Sequence, residues 1–387
     1  MLETIIRNAN VNGDITDIGI TGDKITAVEK KIQLSAPSEF DASGRVTIPG
    51  FIDCHMHLDK SYLIEKADAA YVDGTGAEKG ALTRKYKKEF TVEDIYNRAE
   101  KVILHALKSG TLALRTNVDV DAIVGLKGIE ALIALREKYK NRVTIQIAAF
   151  AQEGIFADGE TDKLLIEALK MGADLIGGHT ITCGEGKKHI DFILNTVNEY
   201  DVPADFHLDE SGSRADFLLP YVVEKADSMG LGARINAIHM CTLAALSPEE
   251  RRDAIRQLEK SGIKATIAPT AISTRALAPV KELLESGIVA GLGSDNVRDF
   301  FNPLGSGDIK QAAMLLSYLQ RFFTEKEQKQ IWDMMTVNGA EILGIEQFGI
   351  TEGAIADITV LDAKTAPEVI ALQADPVYLM RSGAEIK

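Results

Sequence analysis

The sequence has little of several features that would assign a chain to a specialised class. No apolar run approaches the roughly 20 residues of a membrane-spanning helix, so we expect no membrane partner. The start, MLETIIRNANVNGD, lacks a basic segment followed by an apolar one, which does not indicate secretion. Only three cysteines occur, Cys54, Cys183 and Cys241, and they form no CxxC pair. We therefore expect a reduced, cytoplasmic protein with buried thiols.

An excess of basic residues is also absent. The chain has 43 Lys and Arg against 57 Asp and Glu, which gives a net charge of −14. Because nucleic-acid binding needs basic patches that displace counterions, we expect no nucleic-acid partner. The composition of the 387 residues, with 45% hydrophobic and 26% charged, is ordinary. It is typical of a soluble enzyme with a small-molecule substrate. A homo-oligomer is compatible with this composition.

Eight short apolar runs alternate with longer helical patterns at a spacing of roughly 30 residues. Parallel strands that are buried on both faces give such continuous apolar runs. The pattern predicts an α/β fold of the (β/α)8 TIM-barrel type. A doubly wound open sheet is the alternative, but no GxGxxG or GxxxxGKS loop follows any run. The runs cover residues 46–57, 111–120, 143–152, 173–180, 202–210, 233–240, 263–270 and 288–296.

Both ends of the chain depart from this alternation. They contain short strand patterns broken by NG, GD and SG turns, which predict a small β-sandwich built from the N- and C-terminal segments. We expect this domain to comprise residues 1–48 and 346–387, and the catalytic barrel to comprise residues 49–345. Residues 58–100 form a long connection after the first barrel strand, and connections of that length are often lids.

Polar residues end most of the eight runs. Active sites of such barrels lie at the C-terminal ends of the strands, so these residues are the candidates for chemistry. Five of the seven histidines are among them, whereas His105 and His189 lie in helical patterns and are expected on the surface or in packing contacts. The strand-end residues are His55, His57, Asn117, Asp119, Gln152, His179, His207, Glu210, His239, Asp295 and Asn296.

Four of these residues suit a divalent metal. His55 and His57, in FIDCHMHLDK, are two apart, and the period of a strand directs both rings to the same side. His207 ends the fifth run, and Asp295 ends the eighth run, which closes beside the first. Neutral imidazoles and a carboxylate from different elements are the ligands of a catalytic metal. Each histidine alone could equally be a satisfied hydrogen-bonding residue, but the four together predict a metal site.

Two further residues suit proton transfer at that metal. Glu210 follows His207 by three residues in HLDE, and a carboxylate that does not bind the metal is free to change protonation. His239 is placed to steady the attacked carbon or the hydroxide, and Asp295 would accept a proton from the attacking water. The alternatives are a solvated loop carboxylate for Glu210 and a core histidine for His239.

Several motifs together resemble the amidohydrolase superfamily, and specifically its cytosine deaminase branch: PGFIDCHMHLDK, HLDE, the sixth-strand His239, GSDNVRDFFNPLGSGD and GAIADITVLDA. The resemblance covers nearly the whole chain. It implies that Glu210 is a proton shuttle and that His239 assists water activation. GGHT at the end of strand four lacks the carboxylated lysine of binuclear relatives, so one metal is expected. The resemblance implies that this ion, zinc or iron with manganese as a further candidate, is bound by His55, His57, His207 and Asp295.

The resemblance also assigns substrate contacts. Gln152 matches a glutamine that hydrogen-bonds the amide edge of the pyrimidine. Asn296 stands where cytosine deaminase has a second aspartate, and Phe301 stands in place of a tryptophan; both are expected to contact the substrate. SDNVRDF is also similar to the N-isopropylammelide amidohydrolases, which act on triazines. Those relatives lack the HxxE glutamate, so the presence of Glu210 favours the deaminase reading.

We therefore expect a metal-dependent hydrolytic deaminase that releases ammonia from a small amino-substituted heterocycle by means of a metal-activated hydroxide. Cytosine or a close analogue such as isocytosine, creatinine or an aminopyrimidine is the expected substrate. One alternative is hydrolysis of a cyclic amide or of an N-alkylamino-triazine. Another is a metal-binding protein without turnover, but a purely structural metal would need neither Glu210 nor His239. Asp59 and Lys60 could reach the substrate or fix the long connection, and the role of His179 is left open.

Overall fold

The computed structural model describes residues 1–66, 74–180, 185–273 and 275–386, so Cys183 lies outside the described residues. The described strands are β1 (Thr4–Val11), β2 (Asp14–Thr21), β3 (Lys24–Glu29), β4 (Ser38–Asp41), β5 (Thr47–Ile48), β6 (Phe51–Met56), β7 (Thr111–Asp119), β8 (Thr144–Ala151), β9 (Leu175–His179), β10 (Ala204–Leu208), β11 (Ile235–His239), β12 (Lys264–Ile267), β13 (Ala290–Leu292), β14 (Ile358–Leu361), β15 (Pro376–Arg381) and β16 (Ala384–Glu385).

Helices fill the connections between the barrel strands and follow the last of them. The described helices are α1 (Gly76–Lys87), α2 (Val92–Lys108), α3 (Lys127–Tyr139), α4 (Thr161–Met171), α5 (Gly186–Tyr200), α6 (Leu219–Met229), α7 (Pro248–Ser261), α8 (Val280–Glu285), α9 (Ile309–Leu319), α10 (Glu325–Met334), α11 (Val337–Leu343) and α12 (Ala366–Leu372).

Strands β6 to β13 form one parallel sheet in sequence order. The sheet closes where Met56 of β6 bridges to Asp295, just beyond β13. At that junction the backbone N–H of Asp295 donates to the carbonyl of His55 at 2.9 Å. The predicted (β/α)8 barrel is thus confirmed, and each of the eight predicted runs contains one of its strands.

The first run is shorter in the barrel than we predicted. Thr47 and Ile48 do not belong to β6 but pair with β14 in a different sheet. Between the two strands Gly50 has a φ of +123°, and a Cβ built there would lie 2.7 Å from Leu112. This turn needs glycine, and it separates β5 from a barrel strand that begins at Phe51.

The terminal segments form two four-stranded sheets, one in the order β3-β2-β1-β4 and the other in the order β16-β15-β14-β5. They enclose a hydrophobic core of their own, in which Ile6 and Ile18 of the first sheet cluster with Ile358 and Val360 of the second. This confirms the small β-sandwich. The domain boundaries at residues 48 and 346 stay a prediction.

Helix α1 lies in the long connection after β6 and is attached to the barrel by a buried lysine. Lys87, in its last turn, has no exposed surface. Its Nζ lies 2.7 Å from Asp119 Oδ2, 2.7 Å from Asp121 Oδ2 and 3.5 Å from Glu153 Oε1. Because Asp119 ends β7 and the other two carboxylates follow β7 and β8, the ion pairs hold α1 over the C-terminal ends of the barrel strands.

The cysteines and the helices bear on two expectations from the sequence, buried thiols and the absence of a membrane partner. Cys54 and Cys241 are free and buried, and burial raises the pKa of both thiols above its usual range. Among the described residues, no helix has the length and apolar character that crossing a membrane requires.

Candidate active site

Three imidazoles and one carboxylate converge at the C-terminal end of the barrel. His55 lies on β6 and His57 directly follows it, His207 lies on β10, and Asp295 follows β13. Asp295 Oδ1 is 3.3 Å from His55 Nε2 and 3.6 Å from His57 Nε2. The Nε2 atoms of His57 and His207 are 3.3 Å apart. The structure thus brings together the four residues that we predicted as metal ligands.

The state of these nitrogen atoms fits a metal ion. His55 Nε2 is buried and makes no hydrogen bond of acceptable geometry. Burial, together with neighbouring positive groups, holds the pKa of His57 and His207 well below its usual range, so both rings are neutral. His57 Nδ1 lies 3.2 Å from the carbonyl oxygen of Asn117, and a proton donated there leaves the Nε2 lone pair free. Neutral imidazoles whose lone pairs meet beside a carboxylate are the donor set that a divalent metal requires.

A buried carboxylate aligns the two strands that carry these ligands. Asp53 accepts hydrogen bonds from the backbone N–H groups of His55 at 3.2 Å and Ser294 at 3.1 Å, and also from the Ser294 hydroxyl. Ser294 immediately precedes Asp295, so Asp53 fixes β6 against the segment after β13. Outer-shell contacts of this kind orient metal ligands.

His239 borders the same group of nitrogen atoms. Ring nitrogens of His55, His207 and His239 all lie within 4.8 Å of one another. Burial lowers the pKa of His239 to about 4, so the ring is neutral. Both His239 and Asp295 have left-handed backbone conformations, with φ of 72° and 60°. Non-glycine residues seldom adopt these conformations, and such strain concentrates at functional sites.

Glu210 is held by three neighbours. Its Oε2 lies 2.7 Å from His179 Nε2 and 3.9 Å from His239 Nε2, and its Oε1 accepts a hydrogen bond from Arg275. Burial alone would raise the pKa of Glu210, but His239, His179 and Arg275 outweigh it and hold the pKa well below its usual range. The carboxylate is therefore ionised and beside the predicted metal ligands.

Arg275 was not predicted from the sequence. It lies beyond β12, in the stretch TRALAP, where no spacing or motif marks it. In the folded chain Arg275 donates a hydrogen bond to Glu210, which precedes it by 65 residues in the sequence. His179, whose role the sequence left open, contacts the other oxygen of the Glu210 carboxylate.

A cavity of about 570 Å³ opens above these residues. Helix α1 and the loops after β8, β12 and β13 line it. The three predicted substrate-binding residues, Gln152, Asn296 and Phe301, all lie on its wall, although their roles stay predictions. Its volume is within the usual range for a small-molecule site. Its lining also includes His57, Lys79, Thr83, Arg84, Glu153, His179, His207, Glu210, Ser211, His239, Thr270, Arg275, Asp295 and Asn302.

Asp59 and Lys60 lie outside this lining and are almost completely buried. Lys60 Nζ lies 2.7 Å from Asp119 Oδ1, and Asp59 Oδ2 accepts the backbone N–H of Asp119 at 3.0 Å. Asp119 is also a partner of Lys87. The two residues therefore belong to the buried charge cluster that attaches α1.

The comparisons with known proteins identify the family of the chain. Residues 38–384 match the model of the amidohydrolase family. The chain is 34% identical over 398 aligned positions to the N-isopropylammelide isopropyl amidohydrolase of Pseudomonas sp. strain ADP, covering 98% of this chain and 96% of the relative. The chain thus belongs to the amidohydrolase family, as its motifs predicted, and is a hydrolase of that family.

Two solved structures are similar over the whole chain. The N-isopropylammelide isopropylaminohydrolase of Burkholderia multivorans has a TM-score of 0.91 at 26% identity, covering 100% of this chain and 98% of that one. The 5-methylcytosine deaminase of Klebsiella pneumoniae, with bound 5-fluorocytosine, has a TM-score of 0.90 at 26% identity, covering 100% and 96%. The chain is therefore similar both to an N-isopropylammelide isopropylaminohydrolase and to a 5-methylcytosine deaminase.

Proposed function

We propose that this protein is a metal-dependent aminohydrolase that removes an amino group from a carbon atom of a small nitrogen heterocycle, with cytosine or a close analogue as the first candidate. The observation that carries the proposal is the position of an ionised Glu210 beside His239 and the four candidate metal ligands. A structural metal would need no proton carrier at that place.

A divalent metal bound by His55, His57, His207 and Asp295 would supply the Lewis acidity that makes water nucleophilic near neutral pH. The ionised carboxylate of Glu210 accepts a proton from the attacking water at Oε2, a role that the sequence suggested for Asp295, and passes the proton to the departing nitrogen. Water adds its oxygen to the ring carbon, the C–N bond breaks, and the amine leaves with the transferred proton.

The remaining residues orient the reactants. His239, which is neutral, can hydrogen-bond the attacking oxygen through its ring nitrogen. Gln152 and Asn296 on the cavity wall hold the heterocycle so that its reacting carbon faces the candidate ligands. Such positioning contributes to rate because the reacting atoms meet without further loss of freedom.

An N-alkylamino-triazine is the second candidate substrate. The 34% identity to the Pseudomonas N-isopropylammelide hydrolase over nearly the whole chain favours it. So does the cavity of about 570 Å³, which leaves room beyond a bare pyrimidine ring for an alkyl substituent. The chemistry is the same, and only the leaving group changes from ammonia to an alkylamine.

Amine release from purified, metal-loaded protein tests the proposal. A panel of cytosine, isocytosine, creatinine, ammelide and N-isopropylammelide should include a ring that yields ammonia or isopropylamine with matching loss of substrate. The Glu210→Gln variant should bind the same ring without turnover. No amine from any amino-heterocycle, together with hydrolysis of an unsubstituted cyclic amide, would replace the proposal by amide hydrolysis.

A further inference from the structure

Lys60 contacts Gln152, a residue of the cavity wall, from the side that faces away from the cavity. Its side chain is almost completely buried and does not line the cavity. Its Nζ donates to Asp119 Oδ1 at 2.7 Å and to Gln152 Oε1 at 3.3 Å, and it lies 5.6 Å from the centre of the Phe150 ring. A buried cation therefore lies directly behind Gln152, which does line the cavity.

This contact fixes which end of the Gln152 amide faces the cavity. An ammonium group has donors and no acceptor, so only the amide oxygen can meet Lys60. The amide nitrogen Nε2 is then directed away from Lys60, and no described residue accepts a hydrogen bond from it. Gln152 consequently presents its N–H donors to the cavity, while its oxygen Oε1 is directed toward Lys60.

The lysine is itself held in place. Asp119, its main partner, also pairs with Lys87 and donates its backbone N–H to Asp59. Rotation of the Gln152 amide would set its NH₂ group against the ammonium of Lys60 and leave a buried charge with one fewer acceptor. The orientation is thus built into the fold before a ligand binds.

Asn296, a second amide on the cavity wall, is turned the other way. Its Nδ2 donates to Asp299, which also accepts the backbone N–H groups of Phe301 and Asn302, both at 2.9 Å. Within the described part of the chain, no donor contacts Asn296 Oδ1. The cavity therefore has a donor at Gln152 and an acceptor at Asn296.

We propose that Lys60 is a positioning residue that fixes the donor face of Gln152 toward the cavity, and that the enzyme thereby selects heterocycles presenting a ring carbonyl, not an N–H or amino group, to Gln152. The substrate class is that of oxo-bearing amino-heterocycles. This inference rests on the proposed aminohydrolase function. It adds a rule about which group of the heterocycle, a ring carbonyl or an N–H or amino group, faces Gln152.

A matched series of triazines tests the rule. Ammelide, ammeline and melamine share one triazine ring and differ only in carrying two, one or no oxo groups in place of amino groups. For the wild-type enzyme we expect kcat/KM for amine release to be higher for ammelide than for melamine by about tenfold or more, because an amino group would face the donors of Gln152.

The Gln152→Glu variant gives the sharpest result. One carboxylate oxygen would still meet Lys60, and the other would present an acceptor to the cavity, so the preference should invert toward melamine. This variant leaves the buried cluster of Lys60, Asp119 and Lys87 intact. If the ratio stays at its wild-type value, or if all three rates fall by the same factor, the inference is wrong.

Lys60→Met tests the positioning role directly. Without the ammonium the Gln152 amide is free to rotate, so the ammelide-to-melamine ratio should fall toward one while bound metal is retained. Lys108→Met, at the exposed end of α2, is the matched control and should keep the wild-type ratio. A purely structural role of Lys60 would lower all rates without changing their ratio, and that result would overturn the proposal.

Binding measurements distinguish a failure of this inference from a failure of the proposed function. Calorimetry of the metal-loaded wild-type protein with cyanuric acid and with melamine measures the preference without turnover. Amine release from none of the rings, combined with tighter binding of cyanuric acid, would contradict the function and support the rule. Amine release with equal binding of both rings would support the proposed function and contradict the rule.

Discussion

The guanidinium of Arg275 donates a hydrogen bond to one carboxylate oxygen of Glu210, while His179 lies 2.7 Å from the other. Glu210 is thus held from both sides at the edge of the cavity, 3.9 Å from His239. Because a cation beside a carboxylate favours its ionised form, Arg275 keeps the candidate proton carrier ready to accept a proton.

Removal of Arg275 should therefore shift the pH dependence of the reaction. Its charge lowers the pKa of Glu210, so Arg275→Met should raise that pKa. Activity that needs ionised Glu210 is lost as the pH falls through this pKa, and the acid limb of kcat/KM should move to higher pH. Arg214→Met, which removes an exposed arginine paired with Glu250, should leave the limb in place. An unchanged limb in Arg275→Met would mean that Arg275 does not act on Glu210.

Glu210→Gln should abolish most turnover without loss of metal. The amide has nearly the same shape but cannot carry the proton, so kcat should fall by about 10²- to 10⁴-fold. Metal content is measured in the same preparation by mass spectrometry. Glu224→Gln, at an exposed position on α6, is the control and should keep full activity. A Glu210→Gln enzyme with near-normal kcat would remove this residue from the mechanism.

Asp53→Ala should weaken metal binding, although Asp53 is not itself a candidate ligand. Loss of its hydrogen bonds to His55 and Ser294 frees the segment that carries Asp295. Affinity measured by competition with a chelator should fall by about 10- to 100-fold, the usual effect of outer-shell substitutions. Asp14→Ala removes an exposed strand aspartate and should not alter affinity, so equal affinities in the two variants would argue against the role of Asp53.

Lys87→Met should destabilise the fold. The substitution leaves Asp121 and Glu153 without the ammonium that lies between them. Loss of one partner of a buried ion pair costs about 3–5 kcal/mol, which urea denaturation would detect as a lower free energy of unfolding. Lys88→Met, one residue later and exposed, is the matched control. Equal stability of the two variants would show that the buried cluster does not anchor α1.

Most of the fold could be predicted because its signals are local. The run TLALRTNVDV, for example, opens with four apolar or β-branched residues and became the fully buried β7, as parallel strands between layers of helices require. The candidate metal ligands could also be found, because all four lie near the C-terminal ends of barrel strands, and the geometry of a barrel brings these ends together. They are His55, His57, His207 and Asp295.

The parts that the sequence did not reveal depend on contacts between distant residues. The first run, residues 46–57, was read as one strand because hydropathy does not show that Gly50 adopts a positive φ against Leu112. Arg275 lies in a loop with no periodicity, and its partner is 65 residues away. Asp59 and Lys60 were expected either to reach the substrate or to fix the long connection, and only the folded chain identifies Asp119 on β7 as the partner of Lys60.

Metal removal and restoration test the central claim most directly. Purified protein should contain about one transition-metal ion per chain, and dialysis against a chelator should abolish amine release from the active heterocycle. Addition of zinc, iron or manganese should restore release in proportion to the metal bound, whereas His207→Ala should neither retain the ion nor recover activity. Amine release that continues at the full rate in metal-free protein would contradict the account.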